Sequence, residues 1–283
     1  MIVTKIKGGV GNQLFQYALG RHLAEINKSH MLLDISDFET FELRNPHLSH
    51  IKYSLSHFNI QEDIMSLEEY SGKIDVDPRL EISHINEKYF HYDPSVLDLS
   101  GGIYIEGYWQ SEKYFKAIEQ KIKREFSFKN PPKGTNKDLA DMISQTESVA
   151  IHVRRGDYVK DEQTKLVHGA LEKEYFLYCV NILQDKLNNP YFFIFSDDHL
   201  WVDENFRTVS PAKFVTNNRL SKDYEDFRLM SLCKHQIIAN STFSWWAAWL
   251  NNNHDKMVMA PKKWFNVSHN NIKDLYPDSW TVI

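Results

Sequence analysis

The stretch MIVTKIKGGVGNQLFQYALGRHLAEI, residues 1–26, decides the fold. Residues 2–7 alternate as a strand does, and from Gly11 onward Leu14, Phe15, Ala18, Leu19, Leu23 and Ile26 recur at helical spacing. HMLLDIS at 30–36 reads as a second strand, so the chain opens in the strand–helix–strand manner that builds parallel sheets. Between them, Gly8-Gly9-Val10-Gly11-Asn12 looks like a phosphate loop but carries neither common fingerprint. It lacks the Gly-Lys-Ser/Thr ending that supplies a lysine for a γ-phosphate and a hydroxyl for magnesium. It also lacks the third glycine of a dinucleotide turn. Kinase and dehydrogenase chemistry are therefore disfavoured. Two readings stay open: a plain strand-to-helix turn, or a tight turn bringing main chain and the Asn12 amide close to a neighbour across an interdomain cleft.

The α/β pattern continues outward from this start. A strand is expected at 103–106 and a helix over 111–125, while residues 37–100 show no clean period and read as irregular connections. Pro131, Pro132 and Gly134 then interrupt both helix and strand. The domain boundary falls near 130–137, giving domains 1–133 and 134–283. Beyond it strands at 148–154, 191–195, 235–239 and 257–259 alternate with helices at 172–187, 222–233 and from 243, the rhythm of a doubly wound sheet.

With 283 residues, 42% hydrophobic and 25% charged, the chain is an ordinary globular protein long enough for two domains. A formal charge of −5 argues against nucleic-acid binding, so an anionic ligand needs a local basic site. Cys179 and Cys233 fall in helical segments and read as buried small hydrophobes in a reducing compartment. The start has no signal-peptide core and no long apolar run occurs, so a cytoplasmic protein is expected. The sequons Asn240-Ser241-Thr242 and Asn266-Val267-Ser268 should then carry no glycan.

Ligands of open parallel sheets sit beyond the carboxyl ends of the strands. In HVRRGDY, 152–158, His152 and Arg154 share one strand face, opposite Val149, Ile151 and Val153. The guanidinium fork of Arg154, followed by Gly156, suits a diphosphate. Alternatively Arg154, Arg155 and Asp157 form an ion-pair cluster that closes a loop. In NSTFSWW, Ser241, Thr242, Phe243 and Ser244 open a helix, either as a plain cap or as an anion site at a helix N-terminus. Trp245 and Trp249 read as core. Glu225 and Asp226 sit in a helix's first turn, explained by the helix dipole or, for a carboxylate, by hydrogen bonds from a guanine edge. On that helix Leu229, Leu232 and Cys233 should face inward. Asp197 and Asp198 of FSDD read as helix caps. Asp75-Val76-Asp77 is a weak metal signal in the irregular region, the thirteen histidines lack paired ligand spacing, and no metal site is expected.

Taken together, GGVGNQLFQYALGRHLA, GYWQSEKYF, HVRRGDY, FSDD and LMSLCKHQIIANSTFSWWAAWL resemble the α-1,2-fucosyltransferases of glycosyltransferase family eleven. The resemblance implies a GT-B architecture: two Rossmann-like domains facing across a cleft, acceptor on the N-terminal side and GDP-L-fucose mainly in the C-terminal domain. It implies metal-independent, inverting transfer of fucose to the 2-hydroxyl of a β-galactoside, free or lipid-linked, with no cofactor. By similarity with the wider fucosyltransferase group, Arg154 would bind the β-phosphate and stabilise the leaving GDP. His152 and Asp226 would contact guanine, the turn Ser241-Thr242-Phe243-Ser244 would receive the β-phosphate, and Asn12 would approach the donor's phosphate and fucose. Asp157, then Glu162, are the candidates for the base. Animal members carry an N-terminal membrane anchor and this sequence shows none, so the resemblance suggests a bacterial enzyme at the cytoplasmic membrane face, serving surface-glycan or O-antigen synthesis. The competing readings are a metal-dependent GT-A transferase using Asp75 and Asp77, a carbohydrate-binding protein using the aromatic-rich 89–115 region, and a fucosyltransferase of other linkage.

Overall fold

The computed structural model describes residues 1–38, 52–60, 63–65, 82–218, 222–267 and 270–283. The Asp75-Val76-Asp77 tripeptide lies outside the described residues. The chain divides into two compact units, Met1–Lys129 with Asn271–Tyr276, and Asn130–Asn270 with Pro277–Ile283.

In chain order the first unit contains β1 (Ile2–Lys5), α1 (Val10–Ile26), β2 (Met31–Asp34), β3 (Asp63–Met65), β4 (Ile82–Asn86), β5 (Gly102–Glu106) and α2 (Glu119–Glu125). Its strands form a parallel sheet in the order β3-β2-β1-β5-β4, with Ile2 registered between Met31 and Ile103. Strand order reverses beside β1, so its carboxyl end opens on a crevice. Gly8 makes the turn there at φ 75°, a conformation that costs a side-chain-bearing residue. Two fully buried glutamines on α1 then satisfy the backbone around that turn. Gln13 donates to the carbonyls of Gly8 and Lys52 at 2.8 Å and accepts from the Ser54 amide at 2.8 Å. Gln16 accepts from the Lys7 amide and donates to the Gly107 carbonyl, both at 3.0 Å, tying the exit of β1 to the exit of β5. Residues 271–276 join this unit through Asp274: its carbonyl accepts from Ser111 Oγ at 2.6 Å and its carboxylate from the Tyr92 amide at 3.2 Å.

The second unit runs α3 (Thr135–Ser144), β6 (Glu147–Val153), α4 (Gly156–Lys160), α5 (Glu162–Val167), α6 (Lys173–Lys186), β7 (Pro190–Ser196), α7 (His199–Asn205), β8 (Ala212–Val215), α8 (Asp223–Leu232), β9 (His235–Ile237), α9 (Thr242–Leu250), β10 (Val258–Ala260) and β11 (Thr281–Val282). Its parallel sheet has the order β11-β10-β9-β6-β7-β8. The period of two along β6 sends Val149, Ile151 and Val153 into a core with Phe192 and Ile194 of β7 and Phe176, Cys179 and Leu183 of α6. On the far side α9 buries Trp245, Trp246 and Trp249, the first and last stacked with centroids 6.5 Å apart. Both cysteines are free and buried. Among the described residues no helix is long and apolar enough to cross a membrane.

Three expectations are corrected. The helix over 111–125 is α-helical only in α2. Short 3-10 turns at Glu112–Tyr114 and Lys116–Ile118 precede it, and Phe115 between them has φ −138°, outside helical range. Residues 37–100 contain strands as well as connections, since β3 and β4 complete the first sheet; β4 is an edge strand with largely exposed, polar residues, which hides its pattern. Leu232 is 49% exposed rather than inward, because α8 ends there and Cys233 turns to extended backbone.

Candidate active site

In the second sheet the chain leaves β6 towards β7 and β8, then returns to β9 on the other side of β6. That reversal opens a crevice at the carboxyl ends of β6 and β9, the place where such sheets hold ligands. HVRRGDY follows one edge of it and NSTFS the other.

Arg154, the first residue past β6, is gripped by two carboxylates. Its Nη2 donates to Asp157 Oδ1 at 2.7 Å and its Nη1 lies 2.8 Å from Asp197 Oδ2. Register explains the second contact: β6 and β7 pair Val153 with Ser196, so the residues that follow each strand are neighbours. Burial opposes the charge on Arg154, but Asp197 and Asp157 hold it charged beyond its ordinary range. Burial also works against the Asp197 carboxylate. The Arg154 guanidinium and the Arg155 and Gly156 amides outweigh it and keep that carboxyl below its usual range. A Cβ at Gly156 would come within 2.6 Å of Asp197 Oδ2, so the close approach of backbone to carboxylate requires glycine. A guanidinium carries five N–H donors. Two carboxylates fixing its terminal nitrogens leave a rigid, preorganised cation.

Arg155 points elsewhere. Its Nε lies 3.2 Å from Asp198 Oδ2 and its guanidinium stacks 4.0 Å over the Trp201 ring. The ion-pair reading is thus half right: Asp157 pairs with Arg154, and Arg155 belongs to the α7 cap. Asp198 is that cap, accepting from the Trp201 amide at 3.2 Å.

Opposite Arg154, α9 begins. Ser241 caps it, its Oγ accepting from the Phe243 amide at 3.4 Å, and Ser244 Oγ donates to the Ser241 carbonyl at 3.2 Å. α9 starts at Thr242, so the positive end of its helix dipole lies at this first turn. His152 at the end of β6 packs on Phe243, centroids 5.3 Å apart, which joins the two edges. Burial pushes this imidazole down to about 4, with Asp197 opposing and Arg154 assisting, and its Nδ1 is buried with no hydrogen-bond partner. Phe243 in turn meets Phe227 of α8 edge-on at 5.4 Å. In the first turn of α8, Asp226 accepts from Asn218 Nδ2 at 2.7 Å. Burial, with Asp223 and Glu225 nearby, pushes the Asp226 carboxyl up to about 7 although Asn218 pulls the other way. Glu225 itself pairs with Arg228 at 3.1 Å.

The structure thus gathers His152, Arg154, Asp157, Asp226, Ser241, Thr242, Phe243 and Ser244 in the second unit. Glu162 is exposed in the first turn of α5 and no hydrogen bond or ion pair joins it to this cluster. Asn12 belongs to the first unit, where Gln110 Nε2 donates to its Oδ1 at 3.1 Å. Sequence spacing did not bring out Asp197, which holds Arg154, or Asn218, which donates to Asp226. For Asp197 the signal was present: two adjacent aspartates follow a strand where one suffices to cap a helix. Among the described residues no group of three or more His, Cys, Asp and Glu side chains is placed to hold a metal ion.

The chain is 32% identical over 299 residues to an alpha-1,2-colitosyltransferase of Escherichia coli, covering all of this chain and 99% of that one. It is 27% identical over 174 residues to the mouse galactoside alpha-(1,2)-fucosyltransferase 1, covering 59% of this chain and 45% of the relative. Its fold is that of Arabidopsis thaliana FUT1, solved as the R284K mutant in complex with GDP, with a TM-score of 0.54 at 12% identity over 91% of this chain and 69% of that one. This is the GT-B class of α/β fold. A model of the family described as Glycosyl transferase family 11 matches residues 1–283, and the chain belongs to that family.

Proposed function

We propose that this glycosyltransferase moves L-fucose from GDP-L-fucose to the 2-hydroxyl of a terminal β-galactoside, with inversion and without a metal. The observation that carries the reading is Arg154, fixed by Asp157 and Asp197 at the strand-order reversal that also opens the N-terminus of α9. As the glycosidic bond breaks, the GDP leaving group gains charge on its β-phosphate. A preorganised guanidinium and helix N–H groups stabilise charge developing there and need no reorganisation at that moment. On this reading Asp226 accepts from the guanine edge, His152 lines the base pocket as a neutral ring, and the first turn of α9 receives the β-phosphate. Asn12 is proposed as a donor contact on the sequence resemblance alone. Asp157 is the proposed acceptor of the galactoside's proton, ahead of Glu162, because it belongs to the cluster and Glu162 does not.

A second donor is favoured by one observation: a relative that shares the whole length of the chain is a colitosyltransferase. Colitose is the 3-deoxy analogue of L-fucose, so the two donors differ by one hydroxyl. A site that hydrogen-bonds that hydroxyl rejects the deoxy sugar strongly, while a site that leaves it in solvent does not. The deciding experiment incubates the protein with each GDP-sugar and a panel of β-galactosides, with and without EDTA, and determines the linkage by NMR. An α-1,2-fucosyl product formed in EDTA supports the proposal. Transfer from GDP-colitose alone moves the donor assignment, and transfer that stops in EDTA overturns the metal-free reading.

A further inference from the structure

Tyr158 touches both edges of the crevice. Its hydroxyl donates to the Asn240 carbonyl at 3.1 Å, the residue immediately before the Ser241 cap of α9. Its ring lies under Arg154, with the guanidinium carbon 5.5 Å from the centroid. The other neighbour is His168, stacked nearly parallel at 5.0 Å and 13°. Asn240 is fixed from its side chain as well, donating through Nδ2 to the carbonyls of Gly169 at 3.0 Å and Trp264 at 3.2 Å. Burial pushes the Tyr158 phenol up, so it stays a protonated donor at any working pH.

These contacts have a common geometric sense. Arg154 comes from the exit of β6 and the α9 turn from the exit of β9, and in the described residues their side chains share no direct hydrogen bond. One rigid aromatic ring spans the distance, with a cation–π contact on one side and a hydrogen bond on the other. We propose that Tyr158 is a positioning residue that sets the spacing between the Arg154 guanidinium and the N–H groups of α9, and hence the fit of the β-phosphate between them. The proposal rests on the diphosphate reading given above. Tyr158 makes no contact with substrate in it.

The test compares GDP with GMP, since the two differ by the β-phosphate alone. Affinities are measured by calorimetry for the wild type, Tyr158→Phe and Tyr158→Leu. Tyr158→Phe keeps the ring against Arg154 and loses the hydroxyl. It should reduce the preference for GDP over GMP by about three- to tenfold, the worth of one hydrogen bond, with GMP affinity unchanged. Tyr158→Leu should reduce the preference further, because the cation–π contact is lost too. An equal fall for GDP and GMP, or a preference unchanged in Tyr158→Phe, overturns the positioning role. A wild type that binds GMP as tightly as GDP refutes the diphosphate reading itself, so the two failures are distinguishable.

Discussion

Asp226→Asn should make the protein more stable and worse at binding GDP, and both effects can be sized. The carboxyl's ordinary value is 3.8 and burial lifts it to about 7 in the folded chain. At 1.36 kcal/mol per pH unit the rise is worth at most about 4 kcal/mol. Asp226 is only partly buried and interacts with Asp223 and Glu225, so about 1–3 kcal/mol is the working figure. The sign follows from linkage. Between pH 3.8 and about 7 the folded state holds a proton that the unfolded state has released, so stability is fully present below the lower value and is lost as pH rises through the upper one. An asparagine removes that loss while its Oδ1 still accepts from Asn218. Thermal melts should show a raised Tm for the variant at pH 8 and none at pH 4. Meanwhile a guanine edge offers two donors that a carboxylate accepts together and an amide does not. GDP affinity at pH 8 should fall by at least tenfold, on the scale of a hydrogen bond to a charged group. A variant that binds GDP normally removes Asp226 from the base pocket, and one with an unchanged or lowered Tm at pH 8 refutes the burial argument.

Arg154→Lys keeps a charge but not the fork that engages Asp157 and Asp197 together; kcat should fall by about a hundredfold or more, measured by product release at saturating donor. Asp157→Asn preserves an acceptor for Arg154 Nη2 while removing the proton acceptor. It should lower kcat by about 10²–10⁴ with GDP affinity nearly unchanged, and a kcat near wild type would exclude Asp157 as the base. Gly156→Ala drives a methyl into Asp197 Oδ2; the carboxylate must move, and the misplaced Arg154 should cost about tenfold to a hundredfold in kcat/KM. His152, neutral above a pKa of about 4, should show no imidazole titration by NMR between pH 5 and 8.

Much of the fold was legible because buried parallel strands and the helices over them leave strong periodic signals. The Val149, Ile151, Val153 face of β6 and the Trp245, Trp249 stripe of α9 were both readable from spacing, and both are buried. What escaped was weakly patterned: β4 at a sheet edge, the 3-10 turns before α2, and the contribution of residues 271–276 to the first unit. The candidate site divides in the same way. Residues next to strand ends, His152, Arg154 and the Ser241 turn, follow from topology. The adjacent Asp197 and Asp198 were visible after their strand, but only the register of β6 against β7 sets Asp197 beside Arg154, and Asn218 reaches Asp226 across a stretch with no local period. Tyr158 needed the actual fold, since nothing in sequence places residue 158 against residue 240.

The most direct test is the structure of this protein with GDP bound. The β-phosphate should lie within hydrogen-bonding distance of the Arg154 guanidinium and of the backbone at the start of α9, Thr242–Ser244, with guanine on the Asp226 carboxylate. Phosphates bound away from Arg154 and the start of α9 would contradict it.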